Sequence, residues 1–284
     1  MHEFRVRVGP AAFRIGSAWR GPIEQLERLY AAYPKPPHSD FTVRLEPARP
    51  WRKLVRPSVA IAGDFMLPDA APLPLAQGLL AAEMGMNLQL ALGWRRHLLL
   101  HAGAAEKDGR ALVMTGLSGS GKSTMAALLG ETGWRFMSDE FALVGLEDAA
   151  IHPFPRLVSL KNEGVGALEQ RVSHNRLGPR LRGTPKGDIR HLVPPLDAIR
   201  RMTETAPPGL ILFPRFGEAR AVRDVPPSEL FMRLTQASTN YVALGEAGFR
   251  ALTRLCENVP ARAIDYRRGE EGAELIEELW DKLA

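Results

Sequence analysis

The sequence predicts an α/β fold. Short apolar runs typical of strands alternate with helical patterns over most of the chain, and a glycine-rich segment at 116–121 separates one such run from a helix. This alternation favours sheets covered by helices. A length of 284 residues and a hydrophobic content of 45% are ordinary for a globular protein with one main core and a smaller attached region.

Residues 1–74 are predicted to form a small N-terminal α+β region. Alternating apolar and polar residues on both sides of Gly9 and Pro10 indicate a β-hairpin, and prolines from position 34 end the helix that follows. A proline-rich stretch then separates this region from the main domain, predicted at 75–284. The N-terminal elements are predicted at 3–8 with 11–15 for the hairpin, 22–33 for the helix, and 41–45 and 58–62 for further strands.

The main domain is predicted to begin with a long helix at 75–93 and to continue with alternating strands and helices. The apolar face of the long helix is predicted to comprise Leu79, Leu80, Met84, Leu88 and Leu92. The segment 171–188, rich in Arg, Gly and Pro, is predicted to be a mobile loop. Strands are predicted at 97–101, 111–115, 135–138, 141–146, 156–160, 209–213 and 261–265, and helices at 122–131, 226–238, 245–257 and 270–283.

Composition narrows the functional classes. The chain has 37 Lys and Arg against 32 Asp and Glu, a net charge of +5, which suits an anionic ligand but lacks the dense basic stripe of a nucleic-acid binder. Cys256 is the single cysteine, so neither an intramolecular disulfide nor a cysteine metal cluster can form. With no apolar run long enough for a membrane span and no signal-peptide pattern, we expect a cytoplasmic protein without a membrane or nucleic-acid partner.

The most specific motif is a phosphate-binding loop. Residues Gly116, Leu117, Ser118, Gly119, Ser120, Gly121, Lys122, Ser123 and Thr124 fit G-x-x-x-x-G-K-[ST], with an apolar strand before and a helix after. Glycines allow the backbone to curl so that several N–H groups face a phosphate, and the helix N-terminus adds partial positive charge. Lys122 would neutralise the β- and γ-phosphate oxygens, and Ser123 would bind Mg²⁺. The motif predicts binding of ATP with Mg²⁺.

Two adjacent carboxylates follow this motif. Asp139 and Glu140 come directly after the predicted strand 135–138, one helix and one strand beyond Lys122. One can bind Mg²⁺ while the other accepts a proton from an attacking hydroxyl, so both are candidate catalytic residues and candidate metal ligands. The short interval excludes an ABC-transporter ATPase, in which the Asp-Glu pair lies far downstream of an LSGGQ-like signature that this sequence lacks.

Further candidate catalytic residues are one histidine and two lysines. His101 ends a strand-like run just ahead of the phosphate-loop strand, where an imidazole can approach a γ-phosphate. Lys161 and Lys186 are candidates for stabilising charge on a transferring phosphoryl group, because their glycine or proline neighbours constrain the backbone.

The order of these motifs resembles the HPr kinase/phosphorylase family, whose core is related to phosphoenolpyruvate carboxykinase. In that family a His-Gly precedes a G-x-S-G-x-G-K-S loop, and an Asp-Asp pair follows after a similar interval. Here the core resemblance covers residues 95–165, and a weaker resemblance to the branch called HPr-kinase-related kinase A spans most of the chain. The branch resemblance rests on Leu99-Leu-His-Ala, Gly133-Trp-Arg-Phe-Met-Ser-Asp-Glu-Phe, Pro155-Arg-Leu-Val-Ser-Leu-Lys-Asn162, Thr184-Pro-Lys-Gly187 and Asn240-Tyr241.

The resemblance implies roles for individual residues and also has limits. Lys122 and Ser123 match the triphosphate and Mg²⁺ ligands, Asp139 matches the first catalytic acid, and His101 matches a phosphate-proximal histidine. Glu140 stands where the family has a second Asp, and the family signature Glu-Ile-Arg-Gly-Leu-Gly appears only as Ser159-Leu-Lys-Asn-Glu-Gly164. These departures put the reverse, phosphorolytic reaction and HPr as the substrate in doubt.

The sequence therefore predicts a Mg-ATP-dependent kinase that transfers the γ-phosphoryl group to a serine or similar hydroxyl. By the resemblance, the acceptor is a peptide or small protein; HPr kinases assemble as hexamers, but the sequence leaves open whether this chain forms a homo-oligomer. Two alternatives stay open: a small-molecule kinase, since adenylylsulfate-type kinases carry almost the same loop, and a nucleotide-dependent switch without transfer. The sequence names neither the acceptor nor the donor among ATP, GTP and pyrophosphate.

Overall fold

A computed structural model describes residues 1–117, 119–185 and 187–283. Among these residues no helix is long and apolar enough to cross a bilayer. The helices are α1 (Arg20–Leu29), α2 (Gly78–Gly93), α3 (Lys122–Gly130), α4 (Glu163–Glu169), α5 (Leu196–Arg200), α6 (Pro227–Ala237), α7 (Tyr241–Leu244), α8 (Glu246–Asn258) and α9 (Gly269–Asp281). The strands are β1 (His2–Val8), β2 (Ala11–Ser17), β3 (Phe41–Pro47), β4 (Ser58–Gly63), β5 (Leu73–Pro74), β6 (His97–Lys107), β7 (Arg110–Thr115), β8 (Arg135–Ser138), β9 (Phe141–Gly145), β10 (Ile151–His152), β11 (Val158–Lys161), β12 (Leu177–Thr184), β13 (Gly187–Leu192), β14 (Pro208–Phe216), β15 (Ala221–Asp224) and β16 (Ala261–Tyr266).

The N-terminal region forms a five-stranded mixed sheet in the order β1-β2-β3-β4-β5. The predicted hairpin is confirmed, because β1 and β2 pair antiparallel across Gly9. The α/β class is confirmed as well, while the boundary between 1–74 and 75–284 stays a prediction. Helix α2, assigned by the sequence to the second region, packs its buried residues into the same hydrophobic core as β1–β4.

The predicted apolar face of α2 is partly wrong. Met84 is 41% exposed and Leu92 is 38% exposed, whereas Met86 and Leu90 are fully buried. The helix lies so close to the N-terminal sheet that a Cβ at Gly85 would come within 2.5 Å of a Val43 methyl group. Because apolar residues occur on every side of α2, their periodicity does not identify the face that the glycine allows to approach the sheet.

The central sheet has eight strands, in the order β10-β9-β6-β7-β14-β16-β15 with β8 also paired to β6. Strands β7, β14 and β16 are parallel to one another. Along β14, Leu210 and Leu212 face a core that contains α3 and α9, while Ile211 and Phe213 face a core that contains α6 and α8. This period-two alternation places helices on both faces of the sheet.

The prediction of a mobile loop at 171–188 is wrong. Strands β12 and β13 form an antiparallel hairpin there, and β11 completes a three-stranded sheet. Three arginines in or next to this segment form ion pairs: Arg176 with Glu131, and Arg180 and Arg190 with Glu169. Alternate apolar residues of the hairpin are buried, so the arginine content reflects an ion-paired outer face.

Candidate active site

The candidate site lies at the carboxyl ends of the three parallel strands. The glycine-rich loop follows β7, while Phe216 ends β14 and Tyr266 ends β16. Open α/β sheets bind their ligands at this edge. A cavity of about 770 Å³, here called the first cavity, opens there. Its lining includes His101, Lys122, Ser123, Thr124, Glu140, Lys161, Asn162, Phe216, Tyr266, Arg267 and Arg268.

The glycine-rich loop has a backbone that side chains would not permit. Gly116, Gly119 and Gly121 have φ angles of 144°, 85° and 92°. A Cβ at Gly121 would also lie 2.8 Å from the Tyr266 hydroxyl. Gly121 precedes α3, which begins at Lys122 without a side-chain cap, so the first N–H groups of this helix are available to an anion. The predicted loop residue Ser118 lies outside the described residues.

Lys122 is folded onto its own loop. Its Nζ donates hydrogen bonds to the carbonyl oxygens of Gly116 and Leu117, each at 2.8 Å. Burial lowers the pKa of Lys122, with Glu140 opposing this shift and Lys161 adding to it. Lys122, Glu140 and Lys161 therefore line one cavity, where the other two charges act on Lys122, and the catalytic and binding roles predicted for them stay predictions.

Asp139 lies behind the cavity wall. Its side chain is 2% exposed, and its Oδ2 accepts a hydrogen bond from the backbone N–H of Ser159 at 2.9 Å. Burial raises the pKa of Asp139 to about 6, while Arg156 opposes the rise and Glu140 adds to it. The main-chain carbonyl of Asp139 accepts a long hydrogen bond of 3.4 Å from the Ser123 hydroxyl. Asp139 therefore contacts α3 through its backbone, while its carboxyl group accepts a hydrogen bond from β11.

Glu140 is the member of the acid pair that lines the cavity. Its Oε1 is 3.7 Å from Nε2 of His101, and the two side chains are 22% and 40% exposed. His101 lies on β6 opposite Phe141 of β9, so the pairing of these strands brings the histidine next to the acid pair. Glu140 is thus a direct neighbour of His101, and the predicted approach of His101 to a γ-phosphate stays a prediction.

A second cavity, of about 1050 Å³, is also lined by His101 and Glu140. Both residues line both cavities, and the outer side of the glycine-rich loop at Gly116 and Leu117 also lines the second one. The rest of its wall comes from β14, β15, β16 and the end of α6, including Phe213, Arg215, Ala221, Arg223, Arg233, Gln236, Ser238 and Thr239. His101 and Glu140 therefore border both spaces, and this pair of residues is here called the partition.

Lys161 ends β11 and lines the first cavity, beside Asn162. Asn162 has a φ angle of 47°, and its Oδ1 accepts a hydrogen bond from the backbone N–H of Asp188 at 3.2 Å. This contact ties the cavity wall to the β12–β13 hairpin. The predicted residue Lys186 lies outside the described residues.

Tyr266, Arg267 and Arg268 are site residues that the sequence reasoning missed. All three line the first cavity. The Tyr266 hydroxyl is buried and has no hydrogen-bond partner among the described residues, which leaves a donor beside Gly121. These residues lie at the carboxyl end of the parallel strand β16, just as the glycine-rich loop lies at the carboxyl end of β7. This position at a strand end is the signal by which the sequence could have identified them.

The candidate metal ligands are few. Within the described residues, no group of three or more His, Cys, Asp and Glu side chains is arranged to bind a metal ion. Mg²⁺ commonly takes only one or two protein ligands when substrate phosphates and water supply the rest. Glu140 and the Ser123 hydroxyl line the first cavity and fit this sparse pattern, whereas the Asp139 carboxyl group does not line it.

Comparison of the chain with protein-family models and with curated protein sequences gave no match.

Proposed function

We propose that this protein is a Mg-ATP-dependent kinase that transfers the γ-phosphoryl group to a serine or similar hydroxyl of a peptide or small protein. The observation that carries the proposal is a glycine loop of the form G-x-x-x-x-G-K-[ST] between a parallel strand and a helix, with Glu140 and His101 beside its lysine. The likeness of these motifs to the HPr kinase/phosphorylase family supports the same proposal, as does the order of the motifs along the chain.

Several features of the first cavity suit a nucleoside triphosphate. The uncapped N-terminus of α3 and the backbone of the loop offer N–H donors, and Lys122 offers a positive charge. The unpaired hydroxyl of Tyr266 adds a donor, while Arg267 and Arg268 add two cations at the same wall. When bound, the nucleotide supplies the phosphoryl group, and Mg²⁺ held by Ser123 and Glu140 neutralises its charge.

The two carboxylates have different proposed roles. Glu140 faces both cavities, so we assign to it contact with the metal and with the proton of the attacking hydroxyl. The Asp139 carboxyl group accepts a hydrogen bond from the Ser159 N–H, and its main-chain oxygen accepts one from the Ser123 hydroxyl. We therefore assign to Asp139 the positioning of Ser123 and Glu140. The family resemblance instead favours Asp139 as the base, and the pair of variants Asp139→Asn and Glu140→Gln separates the two assignments.

The second cavity is the proposed entrance for the hydroxyl acceptor. It reaches His101 and Glu140, whereas Lys122 lines only the first cavity, so an acceptor and a triphosphate would meet at the partition. An in-line phosphoryl transfer requires the acceptor hydroxyl to approach the γ-phosphate opposite the leaving oxygen. His101, next to Glu140, is placed to stabilise its orientation and to add positive charge when protonated.

The central test uses radiolabelled ATP with a degenerate library of serine-containing peptides and, separately, with a cell extract fractionated by molecular mass. Label on peptides or proteins supports the proposal, while label on small molecules alone indicates a small-molecule kinase. ATP binding without any transfer indicates a switch. Glu140→Gln is expected to bind ATP normally and to lower transfer by at least about 100-fold.

A matched pair of variants on β15 tests the acceptor entrance. Ala221 lines the second cavity, whereas its exposed neighbour Val222 does not. Ala221→Trp should block peptide phosphorylation but preserve ATP binding and slow hydrolysis by water, since the first cavity is untouched. Val222→Trp should behave as the unmodified protein. Equal phosphorylation by both variants contradicts entry through the second cavity.

A further inference from the structure

A basic segment with exposed apolar side chains follows the third strand of the N-terminal sheet. This basic segment, residues 49–56, contains the cations Arg49, Arg52, Lys53 and Arg56. Between them, Trp51 is 55% exposed, Leu54 is 83% exposed and Val55 is 62% exposed. Such a concentration of exposed large apolar groups among like charges is typical of a contact surface.

The cations of the basic segment have no acidic partner in the part of the chain that the structure describes. Arg52 donates to the main-chain oxygen of Arg56 at 3.1 Å, and Arg49 lies over the Trp51 ring at 5.3 Å. Many arginines elsewhere form ion pairs, such as Arg176 with Glu131. Four cations without counter-charges produce a positive potential that attracts an anionic partner.

The basic segment borders a groove of about 740 Å³. Arg52 and Arg56 stand at the groove, and the rest of the wall is mainly apolar, with Trp19, Pro22, Pro74 and Leu75. Gln25 also lines it, and its buried Oε1 has no hydrogen-bond donor among the described residues. A ligand with an apolar group and an N–H donor would fill the apolar part of the groove and give the Gln25 oxygen a hydrogen-bond donor.

The backbone of the basic segment has one left-handed residue and one hydrogen bond from the groove wall. Arg56 has a φ angle of 44°, a conformation that is disfavoured for a non-glycine residue. The indole N–H of Trp19 donates to the main-chain oxygen of Lys53 at 3.0 Å and fastens the segment to the groove wall. The cations and the groove are therefore presented together as one surface.

We propose that the basic segment and its groove bind an acidic polypeptide segment that carries apolar side chains. Its carboxylates would pair with the four cations, one apolar side chain would enter the groove, and a backbone N–H would donate to Gln25. An anionic bilayer matches the charge, but its hydrocarbon offers no donor for Gln25. This proposal is independent of the proposed kinase activity, because no residue of the segment or groove lines either active-site cavity.

The test uses the full-length protein and a fluorescent library of acidic peptides of about twelve residues, long enough when extended to span the surface. Each peptide alternates Glu or Asp with Leu or Phe, and a second library replaces the acidic residues by Lys. We expect the acidic library to bind, with affinity that falls as salt is raised. Arg52→Glu with Arg56→Glu should weaken binding at least tenfold, and Gln25→Leu severalfold.

The control for charge is Lys35→Glu with Lys282→Glu, which changes the net charge equally at two exposed positions away from the groove. Circular dichroism and thermal unfolding verify that all variants are folded. Absence of acidic-peptide binding, or equal weakening by the control pair, overturns the proposal. Stronger binding to phosphatidylserine vesicles than to the peptides assigns the surface to a membrane instead, and self-association lost in the double variant assigns it to a second copy.

Discussion

Asp139→Asn removes a charge from a buried position while it keeps the shape of the side chain. The carboxyl group is 2% exposed and accepts the Ser159 N–H at 2.9 Å. An asparagine oxygen can accept the same hydrogen bond, so the main change is the loss of ionisation. The change in unfolding free energy of this variant therefore measures how much the buried, charged carboxylate destabilises the fold.

The size of that cost follows from the pKa of Asp139. Burial raises this pKa from 3.8 to about 6, and the difference corresponds to about 3 kcal/mol. The unfolded chain loses the proton near pH 3.8 and the folded chain near pH 6. The stabilisation by the bound proton is therefore complete below pH 3.8 and is lost as the pH rises through about 6. Asp139→Asn should unfold like the original protein near pH 4 and be more stable by up to about 3 kcal/mol near pH 8.

Urea unfolding followed by circular dichroism at the two pH values measures this difference. Asp281→Asn, at an exposed position near the end of α9, is the control for the same chemical change and should alter the unfolding free energy by less than about 0.5 kcal/mol. Nucleotide binding by Asp139→Asn should persist while phosphoryl transfer falls. Reduced stability at pH 8 would refute the reasoning, because it would mean that Arg156 outweighs burial. Full transfer would remove Asp139 from the proposed site.

Three further predictions concern the glycine loop and the buried ion pair behind the site. Lys122→Ala should abolish ATP binding measured by calorimetry, because it removes the cation that faces the loop carbonyls. Gly121→Ala should weaken ATP binding at least tenfold, since its φ of 92° and the neighbouring tyrosine hydroxyl both exclude a side chain. Glu83→Ala should lower the unfolding free energy by about 3–5 kcal/mol. Glu83 is paired with the buried Arg156 at 2.8 Å, so the substitution leaves a buried charge without its partner. Glu246→Ala, from an exposed pair, should change it by less than about 0.5 kcal/mol and serves as the control.

Local patterns identified most of the strands and helices, and the glycine loop above all. Such patterns reflect constraints that act within a short stretch of chain. The loop at 116–121, for example, has glycine at its positions of positive φ, where other residues are disfavoured. The hairpin at 177–192 was not predicted because its arginines suggested an exposed loop, whereas Glu169, from another element, forms ion pairs with Arg180 and Arg190. The buried face of α2 was predicted only in part, because it is set by the close contact between the helix and the sheet at Gly85, which is a tertiary contact.

For the candidate site as well, the local sequence predicted some features, while others depend on tertiary contacts. Adjacent positions in the chain predicted that Asp139 and Glu140 lie near Lys122, but not which of them faces the cavity. That choice depends on β11, whose Ser159 N–H binds the Asp139 carboxyl group. Tyr266 comes from a strand more than a hundred residues downstream, and only the parallel pairing of β14 with β16 brings it to the loop.

The partition formed by His101 and Glu140 also has a thermodynamic consequence. Under the proposed function, the nucleotide in one space and the acceptor in the other would contact the same two side chains, so we expect occupancy of one space to alter the free energy of binding in the other. Linkage requires this influence to be equal in both directions: whatever factor a nucleotide contributes to acceptor affinity, the acceptor returns to the nucleotide. The order in which the two substrates arrive can thus change the rates of assembly, but the free energy of the ternary complex is the same by either route.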